Sequence, residues 1–89
     1  MTKAQRHMGR VAALGCIVCR MQGVESPAQV HHIREGRIAR NDFLTIPLCE
    51  PHHTGTHLSV HKAKPALMRS LRMGSEFDLL ADVLELLES

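Results

Sequence analysis

Apolar positions along the chain switch between helical spacing and short runs, and each switch marks an element. In residues 3–14 (KAQRHMGRVAAL), Met8, Val11, Ala12 and Leu14 form a rough helical stripe among good helix formers, with Gly15 as a C-terminal stop. Residues 20–29 carry breakers, Gly23 and Ser26-Pro27, and read as a turn. Val30–Ile33 and Phe43–Leu48 are strand candidates, with Pro47 placed at an edge or strand end. Together they predict a hairpin whose connection, residues 34–42, is long for so small a chain, and such loops are often functional. A helix is expected over 51–62, with Gly55 as a local cost, and another over Pro65–Met73, stopped by Gly74. Ser75 then caps a last helix, Glu76–Glu88, with Asp78 at its third position. Phe77, Leu80, Leu84 and Leu87 share one face of it, and Leu79, Val83 and Leu86 widen that face. This apolar side either closes the core or forms a homodimer seam. The pattern is that of a small α+β domain.

Length makes a metal attractive. At 89 residues the chain has room for a single domain, residues 1–89, and domains of this size often need a metal or disulfides to be stable. Aromatic residues are 2% of the chain, with neither Trp nor Tyr, so large core anchors are scarce. No leader-like or membrane-spanning run is visible, so a cytoplasmic location is expected and no membrane role. In a reducing compartment, Cys and His clusters mean metal more often than disulfides. Charge divides the chain: residues 1–74 hold all 11 Lys and Arg against Glu25, Glu35, Asp42 and Glu50, whereas residues 75–89 hold five acids and no base. A basic body with an acidic final helix suits a domain that binds a polyanion.

Two metal-type patterns overlap between His31 and His61, a stretch holding six of the seven histidines. The first joins Cys16-Ile17-Val18-Cys19 to Cys49-Glu50-Pro51-His52. Three thiols and one imidazole complete the tetrahedral set of a structural zinc, with the adjacent His53 as an alternative to His52. A redox role for Cys16 and Cys19 would need a βαβ setting that this pattern lacks. The second comprises the doublet His31-His32 with His57 and His61, spaced i, i+4 on the expected helix. His57 and His61 could share one ion from a helical face. A third ligand from the hairpin would leave positions open for water and substrate, as in a catalytic site. His31 and His32 offer that ligand and a base, because imidazole titrates near neutrality. Such a set suits hydrolysis of a phosphodiester, which needs an activated water, neutralised phosphate charge and help for the leaving oxygen. The lone His7 reads as a surface residue.

These motifs resemble the HNH superfamily of nucleases, built on a ββα-metal unit. V-H-H-I followed by L-C-x2-H-H is similar to its zinc-stabilised members, and H-L-S-V-H-K looks like the metal-binding helix of colicin-type DNases. R-V-A-A-L-G-C-I-x-C-R, H-H-I-R, I-P-L-C-x-x-H-H and the acidic leucine-rich end resemble the phage RecA-dependent recombination-enhancement nucleases. The resemblance implies a zinc-stabilised, treble-clef-like HNH domain with flanking helices. It also implies a DNA endonuclease of phage or prophage type that leaves 5′-phosphate and 3′-hydroxyl ends. By the same resemblance His32 is the general base, and His31, His57 and His61 hold the catalytic metal. Asn41 takes the middle motif position with Asp42 as rival, and His53 joins the site as the last motif histidine. The catalytic cation would be Mg2+, Mn2+, Ni2+ or Zn2+; imidazole ligands favour the transition metals. DNA and a RecA-type recombinase filament are the implied partners. Arg34, Arg37, Arg40 and Lys62 would hold phosphates without reading sequence. The rival class is a non-catalytic zinc module that binds DNA or a recombination protein, and an RNase of the same fold is a further alternative.

Overall fold

In the computed structural model, which describes residues 1–36 and 38–88, α1 spans Lys3–Ala13. A capping box starts it: Thr2 Oγ1 accepts from the Gln5 backbone N–H, and the Gln5 side-chain oxygen accepts from the Thr2 N–H. Val11 is its fully buried residue. His7 is half-buried rather than a plain surface residue, its ring 5.2 Å from that of Phe43. At Gly15 the backbone turns left-handed (φ 75°), and a Cβ there would stand 2.9 Å from the Ser26 carbonyl oxygen. That carbonyl accepts the Cys16 N–H at 3.1 Å, so the glycine lets residues 15 and 26 close on each other. The first knuckle then opens a short helix that the sequence pattern did not suggest, α2 (Ile17–Met21), with Cys16 as its cap.

Strand β1 is Gln29–His32 and strand β2 is Thr45–Leu48; they pair antiparallel with His31 opposite Ile46 and His32 opposite Thr45. Strand β1 begins and ends one residue earlier than expected, and β2 starts two residues later, at Thr45. A two-stranded sheet has only edges, which is how Pro47 is accommodated in β2. Alternation along β1 buries His31 and leaves His32 half-buried on the other face. Ile33, Ile46 and Leu48 of the hairpin share one core with Val11, Ile17 and Val18 and with Leu67, Leu79 and Val83.

The helix expected over 51–62 is corrected: α3 covers only Glu50–His53. Thr54 closes it, and Gly55 follows in a position where a Cβ would overlap the Pro51 carbonyl. The chain then doubles back. Val60 N–H donates to His52 O at 3.0 Å and His61 N–H to His53 O at 3.2 Å, while Ser59 Oγ accepts the Lys62 N–H. Helix α4 runs Lys64–Leu71 and ends on Arg72, at φ 58°, ahead of the glycine expected to stop it.

Helix α5 spans Glu76–Glu88, as the pattern indicated. The Asp78 carboxylate accepts the Gly74 and Ser75 N–H groups, and Ser75 Oγ accepts the Phe77 N–H. Its inward face differs from the expected one. Glu76, Leu79, Leu80 and Val83 are buried, with Leu86 and Leu87 packed against the core, whereas Phe77 and Leu84 are exposed. No helix of the described residues is long and apolar enough to cross a membrane.

Candidate metal centres and active site

The two knuckles meet beside the hairpin. Cys16 and Cys19 come from the cap and first turn of α2, Cys49 from the cap of α3, and His52 from within α3. The Sγ atoms of Cys16, Cys19 and Cys49 lie 3.5, 3.5 and 3.2 Å from His52 Nδ1, and Cys19 Sγ lies 3.6 Å from Cys49 Sγ. Around one tetrahedral zinc, bonds of about 2.3 Å to sulfur and 2.0–2.1 Å to nitrogen would set these separations at about 3.5–3.8 Å. The donor set and the spacing therefore fit one zinc. Burial pushes the Cys49 thiol up to about 11 and the His52 imidazole down. A neutral imidazole is ready to ligate, and a zinc would have to displace the thiol protons. His52, not His53, completes this set.

His53 joins a second group. Its Nε2 is 3.2 Å from His31 Nδ1 and 3.1 Å from His61 Nε2. Nitrogens that share one ion at about 2.0–2.1 Å stand roughly 2.9–3.4 Å apart, so this triad also fits a single divalent cation. The remaining ring nitrogens of two members are held. His53 Nδ1–H donates to Gln29 Oε1 at 2.8 Å, and His31 Nε2–H donates to Glu76 Oε1 at 2.6 Å. Both bonds leave the inward nitrogen with its lone pair. Burial, then the neighbouring His31 and His61, hold His53 below the usual imidazole value, which keeps it neutral. For Glu76 burial acts to raise the carboxyl, but the hydrogen bond from His31 and the charge and hydrogen bond of Lys64 outweigh it and keep the group below the usual range.

The triad groups His31 and His61 with His53, the further candidate, and does not include His57. His57 is exposed, because the loop after Gly55 breaks the i, i+4 relation on which its assignment rested. On the opposite face of β1, His32 Nε2 lies 2.8 Å from Asp42 Oδ1. Of the two rivals for the middle position, Asp42 is the one that reaches His32. Asn41 instead turns its Oδ1 onto the Phe43 N–H at 2.8 Å. Arg34, Arg40 and Lys62 are exposed near these groups in sequence, and Arg37 lies outside the described residues.

Sequence reasoning missed Gln29 and Glu76. Glu76 is 45 residues from His31, so spacing could not link them. No signal in the sequence singled it out, because in so leucine-rich a helix the inward face stays open until the hairpin fixes it.

Two cation-sized clusters beside the hairpin and a carboxylate-braced histidine on it are a set of groups suited to hydrolysis. No curated protein matches the chain. A family described as recombination enhancement, RecA-dependent nuclease matches residues 1–88. The chain thus belongs to the family of RecA-dependent recombination-enhancement nucleases.

Proposed function

We propose that the chain hydrolyses DNA phosphodiesters by an HNH-type reaction that depends on a divalent cation, with His32 as base and His31, His53 and His61 as metal ligands. The carrying observation is the cation-sized triad of His31, His53 and His61, with His32, braced by Asp42, at the adjacent and last position of β1, where a base can flank the strand end and reach the same phosphate. His32 donates Nε2–H to Asp42, which leaves Nδ1 with the lone pair that takes a proton from water. Asp42 fixes the ring and offsets the positive charge that then forms on it. A divalent cation held by the triad would stabilise charge on the phosphate and on the departing oxygen. The exposed Arg34, Arg40 and Lys62, together with Arg37, supply cations to flanking phosphates. The Cys16, Cys19, Cys49 and His52 set holds zinc and ties α2 and α3 to the hairpin.

The test is metal-free triad protein, with its knuckle zinc retained, incubated with supercoiled plasmid and with single-stranded DNA. Mg2+, Mn2+, Ni2+ and Zn2+ are added back separately, with and without a RecA filament. Cleavage that needs a cation and disappears in His32→Ala is expected. DNA binding with no cleavage under any condition would leave the non-catalytic zinc module as the better reading.

A further inference from the structure

Glu76 is the first residue of α5 and only 1% exposed, yet it carries a carboxylate. Its surroundings explain how that is tolerated. Oε1 accepts from His31 Nε2–H at 2.6 Å, and Oε2 accepts from Lys64 Nζ at 3.4 Å. Its backbone N–H donates to Glu35 Oε1 at 2.8 Å, and Lys64 Nζ lies 3.5 Å from that same oxygen. One residue thus joins three segments: the arginine-bearing loop through Glu35, the start of α4 through Lys64, and β1 through His31.

A hydrophobic residue at this position would close the core with Leu79, Leu80 and Val83 at less desolvation cost. A carboxylate has one advantage that an apolar side chain lacks. It accepts the Nε2 proton of His31 and so requires the tautomer whose Nδ1 lone pair faces His53 and His61.

We propose that Glu76 is a positioning residue for the histidine triad. It sets the His31 tautomer and ring orientation, and it makes cation binding at the triad and docking of α5 on the hairpin support each other. The second clause rests on the reading that the triad holds a divalent cation; the tautomer does not. Linkage is reciprocal: if docking of α5 tightens the cation, the cation tightens docking by the same factor.

The experiment uses the full chain with zinc in the knuckle and Co2+ as probe. Co2+ is titrated calorimetrically into wild type, Glu76→Ala and Glu76→Gln. The tautomer of His31 is read in each protein before Co2+ is added, from long-range 15N–1H imidazole spectra at mildly alkaline pH. Glu76→Ala should bind Co2+ about 10–100-fold more weakly, the usual effect of losing an outer hydrogen bond to a ligating histidine. Glu76→Gln keeps an acceptor and should lie between that variant and wild type. It is also close to isosteric, so it decides the matter where Glu76→Ala does not fold. Before Co2+ is added, wild type with zinc in the knuckle should show His31 protonated on Nε2, and Glu76→Ala a mixture. Co2+ should slow amide exchange at Leu79, Leu80 and Val83 in wild type and less so in the variants. Unchanged Co2+ affinity and tautomer in folded variants, even with a lowered Tm, would overturn the proposal and leave Glu76 as a helix anchor only. The tautomer stands whether or not Co2+ binds, so a failure of the cation reading and a failure of this one give different results.

Discussion

The two metal-type clusters differ in almost every physical respect. The Cys3His set is drawn from two short-range pairs, each on a helix cap and its first turn, and its three cysteines are buried. The histidine triad is drawn from a strand, a helix and a returning loop, and grades from buried His31 through half-buried His53 to exposed His61. The first closes four donors around one point and shuts out solvent, as a site that holds a fold together must. The second has three donors, an open side, and outer bonds from Gln29 and Glu76 that aim its ligands. Closed geometry suits structure, and an open position suits chemistry.

The comparison can be broken most forcefully at the knuckle. Cys16→Ser, or removal of its zinc by a strong chelator, should unfold the domain. Zinc binding in small zinc-finger peptides is worth about 10–16 kcal/mol, as large as the whole stability of a typical domain. Circular dichroism checks this, and an unchanged cooperative melt after verified zinc removal would refute it.

The next largest effect should come from the base. His32→Ala should lower DNA turnover by about 10²–10⁴-fold, with cation and DNA binding retained. Wild-type turnover in that variant would remove His32 from the mechanism.

The triad itself is sharpened by setting three histidines against each other. His53→Ala and His61→Ala should each weaken Co2+ binding at the triad by more than about tenfold, since each removes a ligand directly. His57→Ala alters an exposed side chain, so it should leave cation affinity unchanged and stability within about 0.5 kcal/mol. Equal losses at His53 and His57 would restore the helical i, i+4 pair. The smallest effect belongs to the loop. In the His32→Ala background, adding Arg34→Ala or Arg40→Ala should reduce the log–log salt slope of duplex binding by about one each. An unchanged slope in both would take the loop off the DNA path.

The residues that the amino-acid sequence determined by itself are those joined over short range. Two knuckles named Cys16, Cys19 and Cys49, because three residues of turn or helix cap bring both donors of a pair to one point; the choice of His52 over His53 waited on the structure. The bounds of α5 followed from Ser75, Asp78 and a leucine-rich run, since capping is local. Alternation alone put His31 and His32 on opposite faces of β1. Tertiary structure decided whatever depended on where the chain turns back. His57 lost its place because Gly55 and the Ser59 hydrogen bonds fold the chain after α3 into a loop, which returns His61 to His53. Asp42 rather than Asn41 met His32 because the side chain of Asn41 bonds the loop backbone. The inward face of α5 was chosen by the hairpin it covers, and helical periodicity could not choose between Phe77 and Glu76 in a helix so rich in leucine. That choice placed an acid inside the core against His31, a contact between distant parts of the chain that no local rule encodes.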